Sequence, residues 1–190
     1  MSSTTTENKN FTGITFAKGV LAKGEYENCT FTNCNLSALD LLDFTFADCT
    51  FEGCNISLNK FKNSALKTVN FKNCKLLGVD FSTCNPFLLA LNFENCQLNL
   101  ATFYKLKLKE TKLKNCMLHE VDFTECDLSN AVFDNCDLLN ATFDTTILER
   151  ADFRTSYNYS IDPELNRIKK AKFSRAGIVG LLHRYDIEVE

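Results

Sequence analysis

The chain has 190 residues and a formal net charge of −3, which fits one domain and gives bulk charge no role in recruiting nucleic acid or an anionic membrane. Hydrophobic residues make up 45%, enough for a core, and 17 of them are Phe with no Trp at all. No apolar run approaches the ~20 residues of a membrane span.

Residues 1–10 are rich in Ser, Thr and Asn and lack an apolar h-region, so they read as a disordered tail rather than a secretory signal. The expected address is the cytoplasm, where thiols stay reduced. From Phe11 onward a large apolar residue recurs every five positions, through Phe16, Leu21, Tyr26 and Phe31 to Phe81. The run resumes two residues out of phase at Leu88 and continues to Phe153. Neither a helix (period 3.6) nor a strand (period 2) produces this spacing. A sustained fixed period is the signature of a solenoid.

Let the large residue be position i. Position i−2 is small or apolar, as at Cys29, Cys34, Cys49, Cys54, Ala101, Val121 and Ala131. Two inward residues two apart make a short strand, and the three outward residues turn a corner. Asn recurs at i+2 (Asn28, Asn33, Asn63, Asn73, Asn95, Asn115, Asn135), where a left-handed corner suits it. Cys34, Cys54 and Cys74 are 20 apart, and so are Cys96, Cys116 and Cys136. Twenty residues are four pentapeptides, so each coil has four faces. Residues 11–153 are therefore expected to form an all-β solenoid, with a break near 84–91. There Asn85-Pro86 places a residue without an N–H where a core residue is due, which reads as a two-residue bulge.

After Phe153 the period lapses, then Ile168 and Phe173 return in register. Asp162-Pro163-Glu164 has the form of a helix start, Ser174 that of a second cap, and Asp186–Glu190 alternates like a strand. Residues 154–190 read as a short helical cap on the open end. Its apolar surplus at Ile178, Val179, Leu181, Leu182, Tyr185, Ile187 and Val189 reads as a homodimer interface.

The copies Val121-Asp122-Phe123, Cys126-Asp127-Leu128, Cys136-Asp137-Leu138 and Ala151-Asp152-Phe153 resemble the A(D/N)LxX pattern of the pentapeptide repeat proteins. That resemblance covers about residues 11–173 and implies a right-handed quadrilateral parallel β-helix. The stretch from Ile161 to Ile168, followed by Gly177 to Val189, is similar to the ends of the microcin B17 immunity branch and, more loosely, of the Qnr branch. Those relatives imply a dimer joined at the C-termini that mimics duplex DNA. They imply binding to a type II topoisomerase, DNA gyrase or topoisomerase IV, and its protection from poisons. The chain departs from the Qnr pattern in having no long projecting loop.

The charge pattern bears on that implication. Between Cys116 and Glu149 there is no Lys or Arg, but eight acids occur: Glu120, Asp122, Glu125, Asp127, Asp134, Asp137, Asp144 and Glu149, with Asp152 next. All occupy outward positions beside the proposed dimer end. In a dimer the two belts are expected to adjoin, giving one long negative field that attracts a basic groove. Lys105, Lys107, Lys109, Lys112 and Lys114 lie one coil earlier and read as a solvated edge, with no direct nucleic-acid role. A scaffold for another protein partner is the competing reading.

Chemistry is not expected. All ten Cys fall at i−2 and no C-x₂-C pair occurs, so neither zinc nor a disulfide is anticipated. His119 and His183 are the only histidines, and no phosphate loop, nucleophile elbow or dinucleotide fingerprint appears. The reading is a non-enzyme without a cofactor.

Overall fold

The structure is a computed structural model that describes residues 4–16 and 21–188. Eleven short strands are assigned among these residues, and every pairing between them is parallel. One sheet stacks β1 (Thr4–Glu7), β3 (Gly24–Glu27), β5 (Thr45–Ala47) and β7 (Ala65–Lys67). The other stacks β2 (Asn10–Thr12), β4 (Thr30–Thr32), β6 (Thr50–Glu52), β8 (Val69–Lys72), β9 (Leu91–Glu94), β10 (Lys112–Lys114) and β11 (Val132–Asp134). Single bridges complete two further faces, from Thr15↔Asn35 to Asp137↔Tyr157 and from Asp40↔Lys60 to Asp122↔Thr142. We number the faces 1 to 4 in the order the chain visits them, so Tyr26, Phe31, Leu36 and Leu41 head one coil.

The register is 20 residues, as in Phe31↔Phe51↔Phe71, and becomes 22 at Phe71↔Phe93. Like therefore stacks on like. Phe31, Phe51, Phe71 and Phe93 form one ring ladder with centroids 4.7 to 5.3 Å apart. Phe61, Phe81, Phe103, Phe123 and Phe143 form a second, at 4.9 to 5.3 Å. Offset stacking adds to the area these rings bury. The corners fall at i+2, where positive φ recurs through Asn28, Asn33, Ala38, Asp43 and Asp48 and onward along the rod. Gly, Asn and Asp accept that conformation readily.

All ten cysteines are free and buried. They do more than fill space. Each coil turns so that the carbonyl of a core residue faces inward, and the i−2 side chain 23 positions later donates to it. Cys49 Sγ donates to Tyr26 O, Cys54 to Phe31 O and Cys74 to Phe51 O, at 3.2 to 3.3 Å. Ser64, Thr146, Ser156 and Asn166 occupy the same position and donate to Leu41, Phe123, Phe133 and Phe143. Burial pushes the thiols of Cys49, Cys84 and Cys126 up to about 12, so they stay protonated donors.

Four expectations are corrected. Thr4–Glu7, assigned to the disordered tail on composition, pair in register with β3, because backbone hydrogen bonds to the next coil need no apolar side chain. At the break, Leu88 does not resume the core. It is 63% exposed at φ 57°, Phe87 beside it is 66% exposed, and Leu89 packs on the core instead. Asp162-Pro163-Glu164 starts no helix. The Asp162 carboxylate accepts Glu164 N at 2.8 Å in a turn, and Asn166 is drawn into the core to bond Phe143 O at 3.0 Å. Asp186–Glu188 forms no strand and is exposed, while Val189 lies outside the described residues.

Ile168 and Phe173 do return to register, with Phe173 stacked on Phe153 at 5.5 Å. The cap itself is a pair of 3₁₀ turns, Gly177–Leu181 and His183–Tyr185. Ser174 Oγ accepts Gly177 N at 2.9 Å at the entrance to the first turn.

Candidate interaction surface

A filled interior leaves only positions i−1, i+1 and i+2 for recognition. The structure distributes the sequence-predicted acids around all four sides rather than along one. Asp122 and Asp144 lie on face 4, with Glu120 and Glu125 at its two corners. Asp127 and Glu149 lie on face 1, Asp134 and Asp152 on face 2, and Asp137 on face 3.

Much of the belt is neutralised by cations in the same or the adjoining coil. Lys105 reaches Glu125 at 3.5 Å and Lys109 reaches Asp127 at 3.2 Å, so the basic stretch pairs with the belt. Arg167 binds Glu149 at 2.6 Å, while Arg154 at 2.7 Å and Lys172 at 3.8 Å share Asp152. His119 Nε2 lies 2.8 Å from Asp137. The Arg154 guanidinium holds the Asp152 carboxyl below the usual range, against partial burial. Burial pushes Asp137 up, but His119 and Asn158 outweigh it and hold it low. Among the described residues, Glu120, Asp122, Asp134 and Asp144 have no cation within ion-pair distance. Glu120 and Asp122 sit together where face 3 meets face 4, while Asp144 lies across face 4, next to the Glu125 corner.

On faces 1 and 2 the end of the rod beyond the acids is basic. Arg150 and Lys170 stack at the same corner one coil apart, with Lys169 beside them, between the belt and the end of the rod. None of the three has a carboxylate within ion-pair distance among the described residues. The spacing of Arg150 and Lys170, one full coil, is the sequence signal that marks this corner.

Of the residues assigned to a dimer contact, Ile178, Val179, Tyr185 and Ile187 are 40 to 56% exposed. Leu181 and Leu182 are half-buried, and Leu181 packs against the rod's own core. Arg184 ties the cap down through Asp162 and Glu164, each at 2.9 Å. Between the cap and face 3 lies a recess of about 730 Å³ lined by Leu139, Tyr157, Tyr159, Val179 and His183 among others. The Tyr159 hydroxyl is buried beside it without a hydrogen-bond partner.

No group of three His, Cys, Asp or Glu among the described residues is placed to hold a metal ion. No helix among them is long and apolar enough to cross a membrane.

A solved structure shares the fold. A trypsin-treated variant of QnrB1, described as a plasmid-mediated fluoroquinolone resistance protein, matches with a TM-score of 0.57 at 19% identity, over 95% of this chain and 98% of that one. Full-length QnrB1 gives 0.46 at 20% identity, over 97% and 100%. HetL from the cyanobacterium Nostoc, a pentapeptide repeat protein involved in heterocyst differentiation regulation, gives 0.36 at 13%, over 88% and 86%. At such identities the first likeness concerns the fold alone. No curated protein matches the chain. A family model described as the pentapeptide repeat region matches residues 25–86 and 88–158, breaking at the exposed Phe87. With more than half its length matched and its coils built from stacked pentapeptides, the chain belongs to the pentapeptide repeat family.

Proposed function

We propose that this chain is a non-catalytic protein-binding rod, dimeric through its C-terminal cap, that docks on a type II topoisomerase and protects it from an inhibitor or toxin. The observation that carries the reading is the group of acids without cations along face 4, Glu120 and Asp122 at its edge with face 3 and Asp144 nearer face 1. A rod with a fixed negative face attracts a basic DNA-binding groove and speeds encounter with it. The fold likeness to a fluoroquinolone resistance protein supports the choice of partner. DNA mimicry is confined in this reading to that face, because Arg150, Lys169 and Lys170 make the opposite corner basic.

The test is gyrase supercoiling, and quinolone-dependent cleavage, measured while the protein is titrated in. Protection at micromolar concentrations is expected, together with weakening at high salt, where the Debye length shortens. The triple variant Glu120→Lys, Asp122→Lys, Asp144→Lys is expected to need about tenfold more protein, about 1.4 kcal/mol. No effect on either activity sinks the topoisomerase reading. A second reading, a scaffold for a different protein, is favoured by an apolar stripe on face 3.

A further inference from the structure

Face 3 carries one exposed large apolar residue in each of six successive coils: Leu58, Leu77, Leu100, Met117, Leu139 and Tyr157, between 36 and 66% exposed. Scattered apolar residues on a surface mean little, but a contiguous stripe marks a contact. The stripe begins at the corner with face 4, at the i+2 positions of Leu58 and Leu100. Leu77 and Leu139 stand at i+1 and Met117 and Tyr157 at i−1, so the six residues spread over the width of face 3, and Leu139 and Tyr157 line the recess under the cap.

Leu58 and Leu100 hold φ of 61° and 62°, a conformation that Asn and Gly take readily and that a bulky side chain resists. Both are more than 60% exposed, so neither gains burial in return. The rod's corners impose that conformation on other residues too, Thr68, Lys105 and Glu125 among them, so what sets Leu58 and Leu100 apart is the exposed apolar side chain at the corner.

We propose that face 3 is the docking surface for an amphipathic α-helix of a partner protein. The periods agree. A helix rises about 5.4 Å per turn and the rod about 4.8 Å per coil, so a helix along the face offers one side chain to each coil and slips only about 0.6 Å per step. Six coils span about 24 Å, the length of about 16 helical residues.

Charge sets the direction of that helix. Lys60 and Lys75 are exposed beside Leu58 and Leu77, and Glu120 and Asp122 lie beside Leu139 at the corner with face 4. The complementary helix has acids in its first turn over the lysines and basic residues in its last turns over the acids. That is also the arrangement a helix dipole favours. Laying an apolar helix face on an apolar surface, with charged flanks fixing orientation, is an established mode of peptide capture. The inference stands whether or not the partner is a topoisomerase.

The experiment uses the full chain and a synthetic peptide of about 16 residues. The peptide carries Glu in the first turn, one Leu stripe and Lys in the last turns. The folded rod contributes almost no helical signal, so far-UV circular dichroism reports the peptide directly. Binding with a gain in helicity is expected, with about tenfold weaker affinity for the charge-reversed peptide and for Glu120→Lys. Leu100→Ser with Leu139→Ser is expected to abolish binding while leaving the thermal midpoint of the rod unchanged.

Equal binding of a sequence-scrambled peptide overturns the proposal, and so does full binding by the double Ser variant. Concentration-dependent self-association of the native rod, lost in the double variant without any peptide binding, also overturns it and makes a second copy the occupant. These outcomes are independent of the supercoiling assay, which reads the topoisomerase reading alone.

Discussion

At the scale of single residues, the i−2 position is a donor site as much as a hydrophobic one. Sequence reading placed the cysteines in the core as small hydrophobes, and the structure adds the reason that Ser64, Thr146, Ser156 and Asn166 stand in for them: each donates to an inward carbonyl of the previous coil. Cys74→Ser is therefore expected to be less destabilising than Cys74→Ala by about 1 kcal/mol, because Ser keeps a donor to the Phe51 carbonyl and Ala does not. Urea denaturation of the two variants checks this. Corner residues carry a different constraint. Gly53 sits at φ 62°, and a Cβ there meets the Asn33 side chain, so Gly53→Ala is expected to cost about 1–2 kcal/mol. Charge pairing sets the acid limit of stability. The carboxyls of Asp137 and Asp152 are held below their unfolded values, so their contribution is complete above that value, near pH 4, and is lost as pH falls through the lower folded value. A melting series from neutral to acid pH should show the loss, and Asp152→Asn should reduce its amplitude.

At the scale of the coil, the break near Pro86 is an insertion into an otherwise regular ladder. Face 1 bridges run to Ala65↔Asn85 and resume at Lys107↔Asp127, while faces 2, 3 and 4 pass the break with the register lengthened to 22. Phe87 and Leu88 project from the gap, and removing both returns Leu91 to i−2 of a 20-residue coil. Deletion of these two residues is expected to leave the rod folded with stability within about 1 kcal/mol, since the surrounding stack is already continuous. Thermal unfolding of the deletion variant tests that. The insertion was legible from the phase of the apolar residues alone. Which residue fills the core was not, because Leu88 and Leu89 have the same chemistry and only the path of the backbone separates them.

At the scale of the whole molecule, association and recognition are decided at the cap and on the outer faces. Leu181 supports the cap from within, so its substitution would mix unfolding with dissociation. Ile178→Asp with Ile187→Asp is the cleaner test of a C-terminal dimer, since both residues are more than half exposed. A monomer by light scattering, with an unchanged melting profile, is the expected result. The sequence by itself determined the solenoid, its four faces, the buried thiols and the slip near Pro86. A fixed period encodes stacking locally, each repeat contacting only its neighbours, so no long-range information is needed to read it. The tertiary structure alone decided which outward residues share a face. It turned a run of acids into a ring half-neutralised from the coils on either side, gathered Arg150, Lys169 and Lys170 at one corner, and aligned six apolar residues from Leu58 to Tyr157 into a stripe. These groupings join residues of successive coils, often at different places within the repeat, and they meet because the coils lie about 4.8 Å above one another.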